Sequence, residues 1–141
     1  MELSRILIRE FTDYQFIELR EVTEDAEGVA QKENGRSFPI VIGLPEAQAI
    51  ERRLKGISIK RPQTHDLLAN MIEGLGAKLE SITINDLSDH TFFATLDVRK
   101  ADGTVARIDS RPSDAIALGI AGSVPIYVAE HVLDAATKEE P

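Results

Sequence analysis

The chain switches between two hydrophobic rhythms. "ELSRILIREF" and "QFIELREVT" mix apolar and polar residues at strand spacing and predict two strands joined by a polar turn, Thr12 to Tyr14. The acidic stretch around Glu24 to Gly35 reads as a longer loop, and "RSFPIVIG" as a third strand ending at Gly43. Helical spacing follows. "LPEAQAIERRLKG" puts Ala47, Ile50 and Leu54 on one face, with Pro45 in the first turn and Gly56 at the close. In "THDLLANMIEGLG", Leu67, Leu68, Met71, Ile72 and Leu75 form a stripe expected to be buried.

Period two then returns. "AKLESITIND" is a strand whose phase slips between Leu79 and Ile82, which predicts a bulge. "TFFATLDVRK" sets Phe92, Ala94, Leu96 and Val98 on one face, while Phe93 interrupts the polar face and suggests a partner chain or a second layer. "ADG" at Ala101 to Gly103 is a hairpin turn leading into "TVARIDS". The segment Ala115 to Ala121 is apolar on all sides and predicts a buried helix; "VPIYVAE" and "HVLDAA" add a strand and a closing helix. Strands in hairpins with segregated helices give an α+β fold, an antiparallel or mixed sheet with about four helices. Three strands and a Pro-started helix occur twice, with "IGLPEAQAI" echoing "IDSRPSDAIAL", which suggests an internal duplication. Residues 1–135 are expected to form a single domain, and 136–141 a frayed acidic tail.

Composition narrows the function classes. The 141 residues are 43% hydrophobic and 28% charged, as in globular domains. No apolar run is long enough to span a membrane, and charges interrupt the short apolar stretch of "MELSRILIREF", unlike a signal peptide. A cytoplasmic protein without membrane association is expected. Zero cysteines exclude disulfides, thiolate metal sites and a cysteine nucleophile. A net charge of −8 argues against nucleic-acid binding through overall charge. Locally the sign reverses: five of the ten residues from Arg52 to Arg61 are basic and none is acidic. That stretch is either a solvated helix end or a basic groove.

The candidate chemistry lies in two Arg-Pro segments, "KRPQTHDLL" and "IDSRPSDAIALGI". Proline holds its predecessor extended and suits the first helical position, so Arg61 and Arg111 each stand just outside a helix N-terminus. Backbone N–H groups with an arginine beside them favour an anion, phosphate included. Two readings are open. Ser113 and Asp114 can cap the helix while Arg111 pairs with Asp109 or Asp66; or His65, Asp66, Asp109, Ser113 and Asp114 converge as an acid–base or hard-metal site. The second reading requires the two segments to meet in one cleft.

"RPQTHDLL", followed by "DSRPSDAIALGI" and "VPIYVAEHVL", resembles the bifunctional nuclease domain family from about Ile6 to Leu133. The resemblance implies a small α+β protein that forms homo-oligomers built from dimers and hydrolyses both DNA and RNA. The matching positions are Arg61, Pro62, Thr64, His65, Asp66, Asp109, Arg111, Pro112, Ser113 and Asp114. DNA offers no 2′-hydroxyl, so one site cutting both substrates must activate water or form a covalent intermediate. Metal-bound water, with magnesium or manganese, is the usual route. On that expectation Asp66, Asp114 and Asp109 are the ligand candidates, and His65 with Ser113, Asp66 and Asp114 the catalytic set. Arg61, Thr64, Arg111, Arg52, Arg53 and Lys60 are the phosphate-binding candidates. Aromatics are only 5% of the chain, leaving few platforms for stacking bases. A non-catalytic oligomeric module for an anionic ligand or protein partner, and a small-metabolite enzyme, are the competing readings.

Overall fold

The computed structural model describes residues 2–7, 15–25, 28–31, 35–57 and 59–138. The first strands, β1 (Glu2–Leu7) and β2 (Gln15–Arg20), pair antiparallel, and β5 (Ser37–Ile42) joins the other side of β2. Alternation decides what this sheet buries: Ile17 and Leu19 pair with Ile40 and Phe38, and all four are buried. Pro39 is tolerated because β5 lies at the sheet edge, where a missing N–H breaks no ladder. The turn expected at Thr12 to Tyr14 lies outside the described residues. The acidic stretch expected to be a loop instead contains a short antiparallel hairpin, β3 (Val22–Asp25) with β4 (Gly28–Gln31). Its strands are only four residues each, too short for a clear period-two signal.

Helix α1 (Leu44–Lys55) buries Ala47 and Ile50, and Gly56 ends it at φ +65°, a left-handed position that suits glycine. Leu54, expected on the same face, is exposed. Helix α2 (Thr64–Gly74) departs further. Leu67, Leu68, Met71 and Leu75 are exposed rather than buried, and Ala69 and Ile72 make its core contacts. The helix rests on the fold by a narrow edge.

The larger sheet has the order β8-β7-β6-β9. Strand β6 (Lys78–Ser88) pairs antiparallel with β7 (Thr91–Arg99), β7 antiparallel with β8 (Val105–Ser110), and β9 (Ile126–Val128) lies parallel to β6. The predicted bulge is present: the register shifts between Leu79 and Ser81, so Leu79 and Ile82 both face the core beside Val98 and Leu96. Helix α3 (Pro112–Gly119) covers this face against β6 and β7 and touches α1 and α2; α4 (Glu130–Lys138) closes the fold on β6 and β5. α4 runs into the segment expected to fray, and residues 139–141 lie outside the described ones. α3 begins three residues earlier than its apolar run, so Pro112, Ser113 and Asp114 form its first turn.

The sequence echo has a counterpart in topology. β1-β2-β5 leads into α1, and β6-β7-β8 leads into α3: twice a three-stranded antiparallel sheet feeds a Pro-started helix. The β3–β4 hairpin is inserted in the first set, and the two helices pack on each other. One buried cluster runs through both sheets, from Ile17 and Phe38 to Ile82, Ile116 and Val132. Seven of the eight α3 residues are buried; only Asp114 is partly open. A side chain at Gly119 would place its Cβ 2.9 Å from Ile82 Cδ1 and 3.1 Å from Val124 Cβ. Gly119→Ala should therefore cost about 1–3 kcal/mol of stability through overpacking. Denaturant titration measures this, and an unchanged midpoint would show that Ile82 and Val124 yield freely.

Candidate active site

The two Arg-Pro segments meet. Pro62 precedes α2 and Pro112 opens α3, and the helices pack so that His65 Nε2 lies 3.0 Å from Asp114 Oδ1. The other Asp114 oxygen accepts from Arg111 Nε at 2.8 Å, and a terminal nitrogen of Arg111 donates to Glu46 Oε1 at 3.0 Å. These groups line a cleft of about 780 Å³ whose other walls include Arg52, Thr64, Gln48 and Glu51. A proton on His65 Nε2, held by Asp114, leaves Nδ1 as the acceptor of the ring. The arrangement can therefore orient an imidazole and stabilise its cation.

Burial pushes the Asp114 carboxyl upward. Hydrogen bonds from Arg111 and His65 together outweigh it, and the group stays below the usual carboxylate range. Arg111 is shifted upward, first by its hydrogen bond to Asp114 and then by that to Glu46. It pairs with neither Asp109 nor Asp66, the partners considered from sequence alone.

Asp66 faces a different set of groups. Its Oδ2 accepts from Arg52 at 2.6 Å and from the backbone N–H of Gln63 at 3.0 Å, while Oδ1 accepts from Arg53 at 2.5 Å. Burial raises this carboxyl, but the Gln63 N–H and the two arginines overcome it and hold it low. Arg53 also donates to the carbonyls of Ala117 and Leu118, at 2.6 and 2.9 Å. Asp66 and Arg53 thus tie α1, α2 and the end of α3 together, and neither lines the cleft.

Several other expected site residues are placed elsewhere. Asp109 pairs with Thr95 on the sheet face opposite α3, because strand alternation turns it away from buried Leu96 and Ala94. Ser113 is buried in the first turn of α3 and makes no part of the cleft wall. Lys60 and Arg61 are exposed ahead of α2, outside the cleft lining. Of the phosphate-binding candidates, Arg52, Thr64 and Arg111 reach the cleft. The carboxylates of Asp66, Asp109 and Asp114 do not converge, and among the described residues no three His, Asp or Glu side chains are placed to hold a metal. Both Asp66 oxygens and both Asp114 oxygens are already engaged by protein donors, so this donor set does not fit a divalent ion.

A family model for the bifunctional nuclease domain matches residues 29–141. The chain belongs to that family. Two similar proteins, both from Mycobacterium tuberculosis strains and both bearing the name "Uncharacterized protein", are 41% identical over 98 residues. The matched region is 70% of this chain and 57% of each relative, so the chain spans just over half their length. In this bifunctional nuclease domain the sequence reading missed Glu46, which joins the cleft from the first turn of α1. Its signal was the echo between the two Pro-started segments, since helices repeated in topology and packed together bring their N-termini side by side. No helix among the described residues is long and apolar enough to cross a membrane.

Proposed function

We propose that the protein hydrolyses phosphodiester bonds of DNA and RNA in this cleft. The observation that carries the reading is the His65–Asp114 pair at 3.0 Å, set in a cleft lined by Arg52 and Arg111. His65 takes a proton from the attacking oxygen or returns one to the leaving oxygen, and Asp114 fixes the ring and stabilises its charged form. Arg111 and Arg52 face the phosphate, whose negative charge grows in the transition state. The phosphate must compete with Glu46 and Asp114 for Arg111, which restricts binding to ligands with strong anionic oxygens. RNA supplies its own nucleophile; DNA requires water.

The test is cleavage of matched single-stranded DNA and RNA oligonucleotides, each with magnesium, manganese or chelator. His65→Gln should slow both reactions by about 10²–10⁴. Holding a divalent ion would require Asp66 or Asp114 to release an arginine, so cleavage is expected to run at equal rates with metal and with chelator. Full activity of His65→Gln would remove the histidine from the reaction. Arg111, whose side chain is 65% exposed at the cleft wall, also suits a module that only binds anions. Wild-type protein that retains oligonucleotide without cutting it, under every cation condition, would decide for that reading.

A further inference from the structure

The cleft is larger than a phosphate needs: at about 780 Å³ it has room for a nucleoside beside the His65–Asp114 pair. Three carboxylates among the described residues line it. Arg111 holds Asp114 and Glu46, which leaves Glu51 outside the proposed reaction. Glu51 pairs with Lys55, one helix turn on, at 2.8 Å, and the lysine side chain is 59% exposed, so the pair is weak. A carboxylate repels the phosphates of a nucleic acid, and its place in this cleft calls for donors on another part of the ligand. The N–H groups of a base are such donors. Bases are held by two routes: stacking on aromatic rings tolerates any base, whereas hydrogen bonding to the base edge selects. Among the described residues the lining contains no Phe, Tyr or Trp, but it does contain Glu51, Gln48 and Gln63. The selective route is the one present.

We propose that Glu51 recognises the base next to the scissile phosphate and selects guanine, an inference that rests on nucleic-acid cleavage in this cleft. Among the four bases of either nucleic acid, only guanine sets two N–H donors side by side, at N1 and the N2 amino group. They match the two oxygens of one carboxylate, and an ionised acceptor makes both bonds strong. Adenine and cytosine would turn a ring-nitrogen lone pair toward Glu51. Uracil and thymine would offer one N–H between two carbonyls. Gln48 precedes Glu51 by three residues and stands beside it on the same wall, where its amide can donate to guanine O6. The spacing agrees. Glu46, which touches Arg111, and Glu51 are separated by roughly 7–8 Å of rise along α1, comparable with the reach of one nucleotide from phosphate to base edge. Ile57, 53% exposed, gives the ring an apolar neighbour. Lys55 need not leave, because an ionised carboxylate accepts about four hydrogen bonds. Both DNA and RNA carry guanine, so the selection does not depend on the sugar.

The test is cleavage of single-stranded RNA and DNA oligonucleotides that carry one guanine among the other bases, with products mapped by length. The wild-type chain should cut beside guanine about 10–100-fold faster than elsewhere, the discrimination expected of one bidentate base contact. Inosine in place of that guanine lacks the N2 amino group and should remove most of the preference. 7-Deazaguanine, altered only on the opposite edge, should keep it. Glu51→Gln should bring guanine down to the level of the other bases, since an amide has one acceptor and sets its own N–H2 against a guanine donor. Guanine and inosine should then be cut alike. A general loss of fold or activity would lower every cut together and leave the guanine-to-inosine ratio as it was. Equilibrium binding of 5′-GMP and 5′-AMP separates the base site from the reaction. A chain that cuts nothing, yet binds GMP more tightly than AMP and loses that difference in Glu51→Gln, keeps the base site and sets the hydrolysis aside. Cleavage without a guanine preference overturns the proposal, as does a preference that survives Glu51→Gln. Equal binding of GMP and AMP by a chain that cuts nothing overturns it too.

Discussion

Asp114→Asn should reduce cleavage of both DNA and RNA by about 10²–10⁴ while leaving the chain folded. Asparagine nearly preserves the shape of the side chain and can still accept one hydrogen bond. It cannot hold the negative charge that orients His65 and stabilises its imidazolium. That charge is secured in the native chain, since Arg111 and His65 overcome the burial that pushes the carboxyl upward. A purely capping role predicts the reverse, a stability loss near about 1 kcal/mol with activity intact. The structure argues against that role: the N-cap of α3 is Arg111, and no side chain caps it. Arg111→Lys is the companion variant. Lysine keeps the charge but loses the planar fork that here spans Asp114 and Glu46. Its activity should fall, with KM raised more than kcat is lowered if the arginine chiefly holds ground-state phosphate. Oligonucleotide cleavage and thermal melts on the same preparations separate these outcomes. Full activity in Asp114→Asn would leave His65 without its proposed orienting group.

Much of this site was legible before the fold. Proline after Arg61 and Arg111 marked two helix starts, and the chemistry shared between them required a single cleft, which the His65–Asp114 contact provides. The face that each strand buries was equally plain, because alternation in "TFFATLDVRK" and the slipped phase in "AKLESITIND" are properties of one strand at a time. What was not legible depended on neighbours distant in sequence. A helical stripe such as Leu67, Leu68, Met71 and Leu75 shows amphipathicity, but not whether another element is available to cover it. A carboxylate at a helix start looks the same whether it awaits a metal or is taken by arginines one helix away. Asp66 and Asp114 stand at corresponding positions of their helices, yet one ties helices together and the other faces the cleft. The difference comes from Arg52 and Arg53 of α1, whose "RR" pair read as a solvated helix end or a basic groove and instead divides its labour. Arg52 faces both Asp66 and the cleft, while Arg53 turns to the carbonyls of α3.

That division makes Asp66 the position where charge loss should cost the most stability. The side chains of Asp66, Arg52 and Arg53 are only 18%, 15% and 10% exposed, so removing the carboxylate leaves two poorly hydrated guanidiniums without their counter-ion. Asp66→Asn should lower unfolding free energy by about 3–5 kcal/mol, the cost of breaking a buried pair from one side. Against a total of about 5–15 kcal/mol for a domain, that loss is readily measured. Asparagine can still accept from the Gln63 N–H, so the variant reports on the ion pairs more than on the helix start. The effect should depend on pH in one direction. The folded carboxyl is held below its unfolded value, so its contribution is complete above roughly pH 4 and is lost as pH falls towards the folded value. Wild type and Asp66→Asn should therefore differ most near neutrality and converge in acid. Denaturant titrations at several pH values give both curves, and curves that stay parallel into acid would show that Asp66 is not the linked group. Because α2 also carries His65, the same variant should lose cleavage activity only where its melting shows α2 released from α1 and α3. Activity lost from a fully folded Asp66→Asn would instead place that carboxylate in the reaction.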